Sequence, residues 1–388
     1  MPAGKALRIL MAAGEVSGDM QGGFLAKALR ARDETLFLYG SGGPKMKAAG
    51  VDLRIDATQF STVGVLEAVR FVAPLRRVLR HLQSIIRADR PDAAILIDNH
   101  GFNLMLARFL KKEKIPVIYY FPPQAWVASC LFAGGIARNT DLIISSFETE
   151  AAIYRRHGGR AVSLGHPLLD IAKPGPNPSE VLARLGLDAS RPLMALMPGS
   201  RSQEVERLAG PMFGAATIIQ RRMPGMQFLL PVASPQLKPR LQEIREQVGC
   251  SAEICYLEEE IYTCLSRCDL VMTTTGTSTL EAALLGVPMV AAYRLHPISV
   301  WLGRMFASTR YVAMPNLLLN EYVVPEILQR AVTADRLAEA ALEILDSPGR
   351  QAAMRSRFRE LPGMLGEVGV LDRVAELILS EVSTRCQP

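Results

Sequence analysis

The stretch AAILIDNHGFN (residues 93–103) runs five apolar residues, places an aspartate, and breaks into Asn99-His100-Gly101. A short apolar run bounded by turn residues reads as a strand buried in a parallel sheet. Open parallel sheets bind ligands beyond the carboxyl ends of their strands. Asp98 is therefore either aimed at a substrate or engaged in capping the next turn.

Working outward, similar runs recur with amphipathic helical stretches between them, the pattern of an α/β protein. In the first half they are ALRILMAA (6–13), TLFLYG (35–40), PVIYYF (116–121), DLIIS (141–145) and AVSLG (161–165). KPGPNPSE (173–180) reads as a linker, because its three prolines and glycine disfavour any regular element. The pattern then restarts with PLMALMPGS (192–200), MQFLLPVA (226–233), AEICYL (252–257), DLVMTTTG (269–276) and PMVAAYR (288–294). Two doubly wound Rossmann-like domains, 1–172 and 179–345, are expected to face each other across a cleft. Residues 346–388 are expected to form helices packing across both.

Composition agrees with that organisation. A chain of 388 residues exceeds what one hydrophobic core usually serves. Its 49% apolar and 21% charged residues are ordinary for a globular protein. No run approaches the ~18 apolar residues of a membrane-spanning helix, and the N-terminal segment reads as a first strand rather than a signal peptide. Net charge is +6, with +7 carried by residues 1–172 and −1 by the remainder. That asymmetry suggests an anionic surface or substrate on the N-terminal side. Nucleic acid is disfavoured, since no basic block is interleaved with aromatics. In PLRRVLRHLQSIIR (74–87) the apolar positions follow helical spacing, and Arg76, Arg77, Arg80 and Arg87 lie off that stripe. Such a face is either simply solvated or rests on anionic lipid headgroups.

Four of six cysteines fall between 250 and 268, at spacings C-x4-C and C-x3-C. Neither is the tight C-x2-C of structural zinc sites. They read as reduced cysteines of a cytosolic protein, with Cys264 and Cys268 on one face of a short helix and no metal.

Three strand-to-helix turns carry candidate chemistry. AAGEVSGD (12–19) offers Gly14 and Gly18 for a tight loop ahead of a helix start. In LMPGSRSQEVERL (196–208), Gly199 and Ser200 present backbone N–H groups and Arg201 adds a fork for phosphate oxygens. A helix cap with a surface arginine fits that stretch equally well. In TTTGTSTLEAALLGVP (273–288), the turn at Gly276, Thr277 and Ser278 can hold a phosphate, and Glu281 can accept two ribose hydroxyls.

Together these motifs resemble the GT-B glycosyltransferases. Residues 8–330 are similar to the lipid-A-disaccharide synthase family. The resemblance is carried by AGEVSGD, STVGVLEAV (61–69), ILIDNHGFN, LGHPLLD (164–170), MPGSR (197–201), TGTSTLEAALLGVPMV and MPNLLLNEYVVPEILQ (314–329). It implies a GT-B fold and transfer of a diacylated glucosamine from UDP to a diacylglucosamine 1-phosphate, with inversion and without metal or cofactor. It also implies an acceptor- and membrane-side first domain, a UDP-sugar-binding second domain, and a peripheral position on the inner membrane of a Gram-negative-type bacterium. By the same resemblance Asp98 is the general base, Arg201 serves the donor diphosphate and Glu281 the ribose. Asn316 and Glu15 are further catalytic candidates, and Ser17 and Asp19 face the cleft. Alternatives are a divergent glycolipid acceptor, a UDP-sugar 2-epimerase and a non-catalytic UDP-sugar binder.

Three places depart from the family pattern. The D-x-P-D-F-N motif reads Asp98-Asn99-His100-Gly101-Phe102-Asn103. No Lys or Arg stands between Trp126 and Arg138. Glu321 replaces the arginine of an L-L-A-G-R segment. The expectation is weaker binding of a phosphorylated acceptor, partly restored by Glu321→Arg.

Overall fold

Strand β1 (Arg8–Ala13) and strand β4 (Ala93–Ile97) are almost wholly buried, as uninterrupted apolar runs demand when both sheet faces are covered. In the computed structural model, residues 6–56, 65–122, 130–295 and 310–386 are described. The first sheet continues with β2 (Phe37–Gly42), β3 (Asp52–Asp56), β5 (Val117–Tyr120), β6 (Leu142–Ser145) and β7 (Ala161–Ser163). Its order is β3-β2-β1-β4-β5-β6-β7, parallel throughout. The second sheet comprises β8 (Leu193–Met197), β9 (Gln227–Pro231), β10 (Ile254–Leu257), β11 (Leu270–Thr274), β12 (Met289–Tyr293) and β13 (Glu326–Leu328). Its order is β10-β9-β8-β11-β12-β13, again parallel.

Between the strands of the first sheet run α1 (Val16–Arg32), α2 (Pro44–Ala48), α3 (Val65–Ala88), α4 (His100–Lys112), α5 (Cys130–Asn139) and α6 (Glu148–Arg156). After β7 come α7 (Leu168–Ile171) and α8 (Pro178–Arg184). The second sheet is served by α9 (Ser202–Arg222), α10 (Lys238–Gln247), α11 (Ile261–Leu265), α12 (Thr277–Leu284) and α13 (Met314–Leu319). The chain closes with α14 (Ala334–Leu345), α15 (Pro348–Phe358), α16 (Leu361–Leu365) and α17 (Val370–Cys386).

Each sheet reverses its winding once, between β1 and β4 in the first and between β8 and β11 in the second. Register places the decisive loops side by side. Ala13 pairs with Ile97, so the loop after β1 meets Asp98. Met197 pairs with Thr273, so the Gly199–Arg201 loop meets the Gly276 turn.

Strands β3 and β13 are absent from the reading of the sequence. β3 is a charged edge strand with alternating exposure, and β13 has only three residues. Cys268 lies beyond the end of α11, so the expected shared helix face is not formed, although both Cys264 and Cys268 are buried.

The last helix, α17, returns to the first domain and packs on α1, and its Val374, Ala375, Ile378 and Val382 are buried. Polar ties fasten it there. Asp170 accepts from the amides of Gly369 and Leu371, and Glu381 pairs with Arg160 at 2.7 Å.

Candidate active site

Asp98 follows the last residue of β4 with a left-handed backbone, φ 55°, and Asn99 follows at φ 37°. Non-glycine residues rarely accept this region, and where they do the surrounding structure must hold them. The Asp98 carboxylate is partly buried. Its Oδ2 accepts from Ser17 Oγ at 2.5 Å, and its Oδ1 accepts from the Asn99 amide at 2.8 Å.

Glu15 stands two residues before Ser17, at the N-cap of α1. It reaches across to the second domain, where Arg201 donates Nε at 3.1 Å and Nη2 at 2.5 Å to Glu15 Oε2. Burial pushes the Glu15 carboxyl above its ordinary range, opposed by the Arg201 charge. Arg201 Nη1 also donates to Glu204 Oε1 at 3.0 Å. Three carboxylates, of Glu15, Glu204 and Asp98, thus act on one guanidinium, and the arginine stays charged.

That arrangement corrects the expected role of the Pro198-Gly199-Ser200 loop. Glu204 Oε2 accepts from the amides of Ser200 at 3.0 Å and Arg201 at 3.2 Å. The donors assigned to a phosphate are therefore taken by Glu204, which caps the N-terminus of its own helix. Gly199, at φ 129°, has no room for a side chain because the Glu204 carboxylate lies over it. The signal was in the sequence, a carboxylate three residues after the N-cap.

The neighbouring turn is open instead. Gly276 adopts φ 121° at the N-cap of α12, and a side chain there would meet nothing. Ser278 Oγ donates to the Thr274 carbonyl at 3.0 Å, and Thr279 Oγ1 donates to the Gly276 carbonyl at 2.7 Å. These bonds fix the turn and leave the first-turn amides of Thr277 and Ser278 at the positive end of the helix. One turn on, Glu281 is buried, and burial alone raises its carboxyl to about 7. Tyr262, unremarked in the sequence, lies within the Glu281 field and touches Met20 Sδ of the first domain at 3.8 Å.

Two expected site residues are committed elsewhere. Asp19 is buried and accepts from the amides of Gly43, Lys45 and Met46, capping α2. Asn316 is fully buried and saturated. Its Nδ2 donates to the Val324 carbonyl and Glu326 Oε1, and its Oδ1 accepts from the amides of Val323 and Val324. Asn316 thus retains no free bonding position, and Asp19 is turned away from the cleft by burial and three backbone donors.

Glu321 pairs with Arg357 of α15 at 2.6 Å, which explains its acidic identity without an acceptor. Glu321→Arg would set a second guanidinium against Arg357, which works against the expected restoration. Of the segment between Trp126 and Arg138, residues 127–129 lie outside the described residues and the remainder belongs to α5. His166 of the Gly-His-Pro motif packs against Phe121 and Phe147, and burial holds it neutral with a pKa near 3. Among the described residues no three of His, Cys, Asp and Glu are grouped to hold a metal ion.

Two doubly wound sheets, each with its switch-point loops turned into one shared site, define a GT-B-type fold. A UDP-GlcNAc 2-epimerase from Neisseria meningitidis, solved with UDP-GlcNAc, superposes at a TM-score of 0.63 with 10% identity, covering 98% of this chain and 99% of that one. That likeness extends to the fold alone. The lipid-A-disaccharide synthetase family model matches residues 9–364. The lipid-A-disaccharide synthase of Geobacter metallireducens is 35% identical over 373 residues, 96% of each chain. That of Alkalilimnicola ehrlichii is 38% identical over 361 residues, covering 92% of this chain and 94% of its own. The chain belongs to the lipid-A-disaccharide synthetase family.

Proposed function

We propose that this protein is an inverting glycosyltransferase that moves a diacylated glucosamine from UDP to a diacylglucosamine 1-phosphate, forming a β-1,6 linkage. The observation that carries the reading is the Asp98 carboxylate, held by Ser17 at the switch point of the first sheet and linked through Glu15 to Arg201 at the switch point of the second. Asp98 takes the proton of the acceptor hydroxyl, whose oxygen bonds to the anomeric carbon. The bond from that carbon to the diphosphate oxygen breaks on the opposite face, and UDP leaves with the electron pair. The Thr277 and Ser278 amides receive the charge that develops on the diphosphate. Glu281 accepts from the ribose hydroxyls.

Arg201 enters this scheme differently from the sequence expectation. Held by Glu15 and Glu204, it bridges the domains and fixes Glu15 beside Asp98. Its contact with the diphosphate requires exchange with the Glu15 carboxylate. A peripheral membrane position is supported by the exposed Arg76, Arg77 and Arg80 on α3. No helix among the described residues is long and apolar enough to cross a membrane.

The test is Asp98→Asn in the full chain, with release of UDP measured in the presence and absence of acceptor. Turnover should fall by about 10²–10⁴ with UDP affinity unchanged. Acceptor-independent turnover in the unaltered protein would favour the epimerase reading. Wild-type turnover in the variant would reduce Asp98 to a turn residue.

A further inference from the structure

We propose that Asn103 and Tyr119 are positioning residues, which hold the turn at Asp98 in its left-handed conformation and so set the direction of the carboxylate; this rests on the reading of Asp98 as the base. Asp98 and Asn99 both occupy the left-handed region, and neither is glycine. Such a turn relaxes unless its carbonyls are held.

The holding groups come from two elements. Asn103, one turn into α4, donates both hydrogens of Nδ2, to the Ile97 carbonyl at 3.0 Å and the Asp98 carbonyl at 2.9 Å. Tyr119 of β5 donates its hydroxyl to the same Asp98 carbonyl at 2.7 Å, with the Asn99 carbonyl at 3.3 Å. Both side chains are fully buried. Burial keeps the Tyr119 hydroxyl protonated, as a donor.

The opposite side of the turn is closed by glycines. A Cβ on Gly18 would lie 3.3 Å from Asp98 Cβ, and one on Gly14 would lie 2.8 Å from Asn99 Nδ2. Donors on one side and bare backbone on the other fix the turn. The carboxylate then meets Ser17 Oγ and the Asn99 amide.

The experiment compares Tyr119→Phe, Gly18→Ala and Asp98→Asn in the full chain, using UDP-diacylglucosamine and diacylglucosamine 1-phosphate. Tyr119→Phe should lower kcat by about 10- to 100-fold, the scale of a small misplacement of a reacting group. Donor KM and the calorimetric Kd for UDP should stay within about twofold, since the donor contacts lie on the other domain. Gly18→Ala approaches from the far side and decides the matter should Tyr119→Phe fail to fold. The added methyl also meets Ala13 Cβ and the Ile97 carbonyl at 3.3 Å, so a denaturant melt accompanies the assay, and with the fold kept kcat alone should fall. An inactive Asp98→Asn beside fully active Tyr119→Phe and Gly18→Ala would overturn the positioning role. A Tyr119→Phe whose donor KM rises in step with its loss of kcat would overturn it as well. An active Asp98→Asn would instead remove the base reading itself.

Discussion

Glu281 is a buried carboxyl on which burial alone acts, raising it from the ordinary 4.5 to about 7. Its protonated form has lost the charge and turned one oxygen into a donor, so it holds two ribose hydroxyls less well. In the free protein that form dominates below about pH 7, so association of a sugar nucleotide should weaken as pH falls through that value. UDP-N-acetylglucosamine suits the measurement, because its diphosphate diester does not titrate in this range. Calorimetry at about pH 6 and about pH 8 should show tighter binding at the higher pH, and Glu281→Gln should bind weakly and equally at both. Equal wild-type affinity at the two pH values would detach Glu281 from the ribose. The same group sets a stability trend of opposite sign. Its folded-state value lies above its unfolded one, so its stability contribution is complete below about 4.5 and lost as pH rises through about 7.

The short helix α13 shows how an element can serve a site it does not touch. Asn316 joins it to the 323–324 backbone and to Glu326, whose carboxylate also accepts from the amides of Val312 and Ala313. Thr279 of α12 then accepts from the Met314 amide, so the network reaches the Gly276 turn. Asn316→Ala leaves several buried groups unpaired and should destabilise the second domain by roughly 2–4 kcal/mol. Glu326→Gln should reproduce part of that loss, together with weaker UDP binding. Denaturant melts with a UDP titration check both. An Asn316→Ala that is inactive yet as stable as wild type would restore a direct catalytic role. These elements also mark where the sequence stops being legible. Strands such as 93–97 and 270–274 read directly, because full burial on both faces leaves an uninterrupted apolar run. The loops after them followed from topology. The capping of α9 by Glu204 was legible in its spacing from the N-cap, but the inward turn of Asp19 and Asn316 depends on side-chain direction across tertiary contacts. Spacing carries no record of that. The pairing of Glu321 with Arg357 joins residues 36 positions apart, beyond any local pattern.

The two domains meet through Glu15 and Arg201, while the exposed arginines of α3 give the first domain a cationic surface. Arg76→Glu with Arg80→Glu should reduce flotation with vesicles containing anionic lipid by about tenfold at low salt, and the wild-type association should weaken as salt rises. Transfer to a water-soluble acceptor should be unchanged. Full vesicle binding by the double variant would assign those arginines to solvent alone. The return of α17 to α1 has a separate consequence, for assembly in time. The loop bearing Glu15 and Ser17 leaves the ribosome early, but the helix behind it is backed by residues some 350 positions later. At about 5–20 residues per second, that interval is roughly 20–70 s. Throughout it the first domain presents the bare flank of α1, an apolar surface with its covering strand of synthesis still unwritten. Chaperone occupancy should therefore be concentrated there, and a ribosome stalled before residue 370 should carry a nascent chain whose first domain is open to protease along that flank.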